Sequence, residues 1–197
     1  MLFYSCIDFA KAFDHVNHNI LVAKLHEFNI PDTVIRWMCS FLNHRCQRVK
    51  IGNVMSDWLV MNAGMPQGSH LGPLTFIMLV DSLRVSCVTH KFIDDTTLSE
   101  IVTNSAASRM QDCCNELVQQ SEEARMAING HKSKEMVIGL IAKDPLPHLM
   151  LSNTVVDRVP TFKLLGVHVS SDLKWKEHVD ATVSKVASRL HCTFSSS

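Results

Sequence analysis

Lys91-Phe92-Ile93-Asp94-Asp95-Thr96-Thr97-Leu98 places two carboxylates side by side between apolar, strand-forming residues. Neighbouring side chains on a strand point to opposite faces. Either one aspartate faces inward, or the pair sits in a turn between two short strands. A buried carboxylate without a partner is very costly, so the pair needs a reason. A shared divalent cation supplies one. Hard oxygen ligands suit Mg²⁺, which proteins hold with one or two carboxylates together with substrate phosphates. A solvated turn accounts for the same residues with less chemistry, and the rest of the chain has to decide.

Outward from this stretch, the coarse pattern is mixed. Leu2 to Ile7 reads as a buried strand ending at Asp8,. Ile20, Leu21, Leu25 and Phe28 have helical spacing,. Pro31 can open a second helix carried by Val34, Ile35, Met38, Phe41 and Leu42,. Gln47 to Ile51, Gly52-Asn53 and Val54 to Met61 read as a β-hairpin,. Asn62 to Gly68 is a Gly- and Pro-bearing loop, and Leu71 to Val85 is apolar enough for a buried helix,. Phe92-Ile93 and Thr97 to Val102 flank the acid pair as short strands. Ser105 to Ile128 suggests a long helix with Met110, Cys113, Leu117 and Ala124 on one stripe,. Met136 to Ile141 and Phe162 to Val169 read as strands, and Leu173 to Leu190 as a closing helix. Helices and strands alternate without a regular βαβ repeat, which favours an α+β fold with helices on one face of an antiparallel sheet.

Composition narrows the class. Of 197 residues, 46% are hydrophobic and 19% charged, enough apolar content for a packed core,. Net charge is zero, so no global field draws the chain to nucleic acid or membrane,. The longest purely apolar run, Phe76 to Val80, is far short of the roughly 20 residues that cross a bilayer,. No basic leader precedes the first apolar run, so an intracellular protein of cytoplasm or nucleus without a signal peptide is expected. The seven cysteines have neither zinc-finger nor disulfide-framework spacing and read as reduced thiols,.

Four further stretches, together with the acid pair's own, turn it into a site. Asp8-Phe9-Ala10-Lys11-Ala12-Phe13-Asp14-His15-Val16 resembles the first palm motif of the reverse transcriptases of non-LTR (LINE-type) retrotransposons. Gly64-Met65-Pro66-Gln67-Gly68-Ser69-His70-Leu71-Gly72-Pro73 is similar to their second motif, and Phe92-Ile93-Asp94-Asp95 to their third. Ile128 to Met136 resembles the fourth, and Phe162 to Val167 the fifth, the primer-grip region, with Leu164, Leu165 and Gly166 at its centre. Five motifs in the family's order span nearly the whole chain, with wording nearest to jockey- and CR1-like elements. Two positions depart in small, tolerable ways: Ile93 where Ala is common, and Gly72 where Ser is common.

The resemblance implies a polymerase palm over residues 1–170. It implies truncated fingers and, over 171–197, only the start of a thumb or a C-terminal helix. It implies extension of a DNA primer on an RNA template by deoxynucleoside triphosphates. Asp8, Asp94 and Asp95 would hold two Mg²⁺ ions, with Mn²⁺ able to substitute. Phe9, Phe13, Pro66, Gln67 and Gly68 would contact the nucleotide, with Phe13 as a steric gate against the ribose 2′-hydroxyl. Lys132 would protonate the departing pyrophosphate, with Lys134 as its competitor. Bottom-up, Gly64 and Gly68 permit backbone closed to other residues, Pro66 stiffens the loop, and Gln67 offers both a donor and an acceptor. Basic fingers that grip the triphosphate are expected to be missing, so the isolated chain is expected to be weakly active or inactive. Two rivals stand beside this reading. One is a non-catalytic retrotransposon remnant that folds and binds a partner or RNA. The other is a group II intron maturase, which the K-A-F-D and D-D-T-T-L wording disfavours.

Overall fold

The computed structural model describes residues 1–66, 68–103, 107–139 and 146–194. The chain opens with β1 (Leu2–Ile7), α1 (His18–Glu27) and α2 (Asp32–Leu42). Two nested strand pairs follow: β2 (Arg45–Gln47) and β3 (Lys50–Ile51), then β4 (Val54–Met55) and β5 (Leu59–Met61). After α3 (Leu71–Asp81) come β6 (Val88–Phe92), β7 (Asp95–Ile101), α4 (Met110–Glu123) and β8 (Lys134–Ile138). The last part holds β9 (Met150–Leu151), β10 (Thr154–Val155), β11 (Asp157–Arg158), β12 (Thr161–Leu164), β13 (Val167–Ser170) and α5 (Lys176–Phe194).

The main sheet has the order β11-β8-β1-β7-β6. All neighbours are antiparallel except β11, which runs parallel to β8. Alternation along β1 sends Phe3, Ser5 and Ile7 inward, where all three are buried,. Leu98 of β7, opposite Ser5, faces the same way. Against this face pack Phe76, Leu79 and Val80 of α3 and Met110, Cys113, Cys114 and Leu117 of α4, in one apolar cluster. Helices α3 and α4 therefore lie on one face of the sheet, as the pattern predicts, and Tyr4 and Cys6 point to the other,.

Several elements are shorter or more broken than periodicity alone predicts. The expected helix to Val85 stops at Asp81 because Lys91 reaches across from β6. Its ammonium donates to the carbonyls of Val80 and Asp81 at 2.9 and 3.3 Å, and also to that of Leu83. A cation on the last carbonyls completes the helix end and opposes its negative dipole. The expected helix from Ser105 begins only at Met110, where Glu100 accepts from the Arg109 backbone N–H at 2.9 Å and the Ser108 hydroxyl at 2.7 Å. Ser105 lies outside the described residues. The single strand expected over 162–169 is a hairpin, β12–β13, turning at Leu165 and Gly166. Both turn residues have positive φ, 46° and 89°, the geometry of the tight turns that match strand twist,. Strand β8 covers the expected 136–141 stretch only to Ile138, and 140–141 lie outside the described residues. Cys6, Cys39, Cys46, Cys87, Cys113 and Cys114 are free thiols, as expected.

Candidate nucleotidyl-transfer site

Asp8 follows directly on β1, and Asp94 and Asp95 form the tip and shoulder of the β6–β7 hairpin. Phe92 pairs with Asp95, so Ile93 and Asp94 make a two-residue turn. The β1–β7 register ends with Ile7 opposite Thr96, so Asp8 and Asp95 are the next residues on the two chains. The charges report this proximity. Burial, then the Asp94 and Asp8 carboxylates, hold the Asp95 carboxyl above the usual carboxylate range,. Burial, then Asp95 and Asp8, likewise raise the Cys6 thiol on the same face of the sheet. Among the described residues no three His, Cys, Asp or Glu side chains converge into a ready-made metal cluster. Asp94 and Asp95 are exposed at the hairpin end.

Ile93 carries the cost of this turn. Its φ is 57°, a region where a β-branched residue is an outlier,. Its side chain packs against the main core cluster, which helps hold the turn against that strain of about 1–2 kcal/mol,.

The other expected motifs converge on the first. The second motif is bonded to it through backbone. Gly64 N–H donates to Val16 O at 2.9 Å, and Met65 N–H to Phe13 O at 2.8 Å. His18 Nε2 lies 2.8 Å from Gly64 O. Gly64 has φ 82°, and a Cβ there would meet Asp14 O at 2.8 Å and Phe13 O at 3.1 Å. Gly64→Ala is therefore expected to cost more than about 2 kcal/mol, from left-handed strain plus the backbone clash. A urea unfolding midpoint that does not move would contradict this packing. Ser69 pins the start of α3, accepting from Gly72 N–H at 3.1 Å and donating to Pro66 O at 2.8 Å. Gly68 has φ 80°, as a loop glycine of this kind requires,. Gln67 lies outside the described residues.

The fourth motif joins the first from the opposite side. Asn129 N–H donates to Asp8 O at 2.7 Å, and Ala10 N–H to Ala127 O at 2.8 Å. Ser133 Oγ accepts from Asp8 N–H at 3.1 Å, tying the aspartate's own backbone to this turn. The pattern alone gave Ser133 no role; its place within the fourth motif is the signal that could have found it. Lys132 is exposed and makes no ion pair among the described residues. Lys134 donates to Asp157 at 2.7 Å and to His131 O at 3.1 Å.

Phe13 is half-buried and stacks on Phe76, ring centroids 4.6 Å apart with planes 27° from parallel. Phe9 is buried in the core and bridges to Ile128, so what it can offer a substrate is backbone. Leu164, Leu165 and Gly166 sit at the tip of the β12–β13 hairpin, with Leu165 exposed.

Residues 2–169 match the reverse transcriptase (RNA-dependent DNA polymerase) family. The chain is 27% identical over 197 residues to the probable RNA-directed DNA polymerase from transposon BS of Drosophila melanogaster. That alignment covers 93% of this chain and 22% of the relative. It is 25% identical over 190 residues to the RNA-directed DNA polymerase from mobile element jockey of the same fly, covering 88% and 20%. The chain thus spans about a fifth of the length of these curated relatives. Its fold is similar to apo telomerase from Candida tropicalis, truncated from its C-terminal domain. The TM-score is 0.60 at 13% identity, covering 88% of this chain and 34% of the telomerase. With a palm-like fold and a family match over most of its length, the chain belongs to the reverse transcriptase family, with relatives in non-LTR transposons.

Proposed function

We propose that these residues form the nucleotidyl-transfer centre of an RNA-directed DNA polymerase, extending a DNA primer on an RNA template. The observation that supports this most is the meeting of the Asp8 end of β1 with the Asp94-Asp95 hairpin, felt in the raised carboxyl of Asp95. Three like charges at one end of the sheet's strands are a liability in a structural turn and an asset for a hard dication,. The donor set fits Mg²⁺: Asp8, Asp94 and Asp95 would hold it, and Mn²⁺ suits the same oxygens. Bound there, the metal would polarise phosphoryl oxygens and lower the pKa of the attacking hydroxyl.

The chain's own residues do the positioning. The Asn129 and Ser133 contacts fix the Asp8 backbone against β8. The Gly64–Met65 backbone fixes Phe13 from beneath. The Phe13 ring, stacked on Phe76, would act as the gate that excludes a ribose 2′-hydroxyl. Lys132 is the lysine left available to hold a proton for the leaving pyrophosphate, since Lys134 is engaged by Asp157. The Leu164–Gly166 tip is proposed to touch the primer. We read 1–170 as palm with residual fingers elements, and 171–197 as the start of a thumb. The 197 residues by themselves are proposed to turn over slowly, because transfer of this kind is mostly positioning.

Primer extension by an enzyme carrying these residues tests the reading. Phe13→Val is expected to lower discrimination against ribonucleotides by about tenfold or more, since pocket fit of this kind is worth 10–200-fold. Phe13→Tyr keeps a ring at this position and should leave the ratio near its parent value. Equal ratios in parent and Phe13→Val would reduce Phe13 to a packing residue.

A further inference from the structure

One surface remains outside the motifs. Along α2, Trp37 and Phe41 stack one turn apart, centroids 6.5 Å and planes 24° from parallel. The Arg45 guanidinium then lies over the Phe41 ring at 5.5 Å. Trp37 is 57% exposed, although burying such a ring is among the larger stabilisations a helix can gain,. Arg45 continues into a cleft of about 400 Å³ that it shares with Gln47, Asp14, Gly64 and Pro66. The stacked ladder therefore leads from open surface to the backbone of the first and second motifs.

Charge along this segment departs from that of the whole chain. From Arg36 to Met61 there are four cations, Arg36, Arg45, Arg48 and Lys50, against the single carboxylate Asp57. The chain as a whole is neutral. Arg48 repeats the stacked arrangement on the hairpin, 4.5 Å over the ring of Trp58, which is itself 61% exposed. Exposed aromatic faces interleaved with arginines suit unpaired nucleic acid. Every base has a π-face to stack, and phosphates pair with the cations.

We propose that Trp37, Phe41 and Arg45 form a track for an unpaired RNA strand, delivering it to the cleft beneath Gly64–Pro66. The identity of that strand as the template rests on the polymerase reading; the binding itself does not. Trp37 stacks a base, Arg45 holds a phosphate at the cleft mouth, and Gln47 offers an amide to a base edge within it. A duplex has no exposed base faces, so the track selects single strands.

The test is fluorescence anisotropy of the 197-residue chain with a labelled single-stranded RNA of about 12 nucleotides, within the usual range of site sizes. A duplex of the same length is the comparison. Titrations at about 50 mM and about 200 mM salt give the dependence on phosphate contacts. The single strand is expected to bind more tightly than the duplex. Trp37→Ala should weaken binding about tenfold, and Trp37→Phe should restore most of it. Arg45→Gln should lower the slope of log affinity against log salt by about 0.7, the value of one single-strand phosphate contact. Lys185→Gln on α5 should change neither quantity. The proposal is overturned if the chain does not bind the single strand, or if Trp37→Ala and Arg45→Gln bind it as the parent does. Asp94→Asn should bind RNA like the parent in this assay, while losing primer extension in an enzyme that carries this domain. If Asp94→Asn keeps extension, the polymerase reading fails and the RNA result stands separately.

Discussion

Asp94→Asn, placed in an enzyme that carries this domain, is expected to lose primer extension by about a thousandfold while gaining stability. Removing one anionic ligand from a metal site that neutralises phosphoryl charge costs several kcal/mol of transition-state stabilisation, and about 4 kcal/mol is a thousandfold in rate. Stability moves the other way because of Asp95. Its folded-state carboxyl is raised by burial, then by Asp94 and Asp8. The folded chain thus holds that proton more tightly than the unfolded chain. Stability is lost as pH rises from the ordinary carboxylate value through the raised one. Asn at 94 removes one of the repelling charges, so this decline shrinks and the variant melts higher at neutral pH. Thermal melts at pH 4 and pH 7, roughly the window in which carboxylates titrate, measure the change. A lower melting point for Asp94→Asn at neutral pH would mean that Asp94 is held by stabilising contacts and not by chemistry.

Arg158→Met is expected to destabilise the chain by about 3–5 kcal/mol, as breaking a buried pair from one side does. Glu135 is fully buried on β8. Arg158 Nη2 lies 2.7 Å from Glu135 Oε1 and His148 Nδ1 3.2 Å from it. Oε1 itself has no aligned hydrogen-bond donor, so the contact with Arg158 is one of charge. Oε2 accepts from Leu149 N–H at 2.8 Å. Arg158 also donates to the carbonyls of Leu146 and Pro147, each at 2.9 Å, so one side chain holds the 146–149 segment against the sheet. Met would leave the carboxylate without its main counter-charge. Glu135→Leu combined with Arg158→Met removes the charge itself and should recover much of the loss, which urea unfolding of the two variants reads directly. Equal costs for single and double variants would show that the Leu146 and Pro147 contacts, and not the ion pair, hold the segment.

Much of the site was legible because its parts are local. A strand ending in Asp8, a two-acid turn and a Gly-Pro loop each follow from short-range sequence signals. What joins them is not local. The β1–β7 register that sets Asp8 near Asp95 follows from inward burial of Phe3, Ile7 and Leu98 together, and no window of sequence contains all three. The early end of α3 depends on Lys91, ten residues beyond Asp81, whose charge in isolation reads as a solvated lysine. The Glu135–Arg158 pair was invisible for the same reason, since a Glu in a Lys-Glu-Met-Val-Ile strand reads as surface. The 162–169 stretch looked continuous because Leu165, an apolar residue, stands where a turn needs positive φ and Asn or Gly is usual,.

The most direct measurement exchanges the chemistry of one ligand. Asp8→Cys, in an enzyme carrying this domain, replaces a hard carboxylate with a thiol that disfavours Mg²⁺ and tolerates softer ions. Primer extension on an RNA template is measured for parent and variant with Mg²⁺ and with Mn²⁺. If Asp8 is a metal ligand of the transfer site, the variant is inactive with Mg²⁺ and regains measurable extension with Mn²⁺. Extension by Asp8→Cys at near-parent rates with Mg²⁺ would contradict the assignment of Asp8, and with it the carboxylate edge as the catalytic centre.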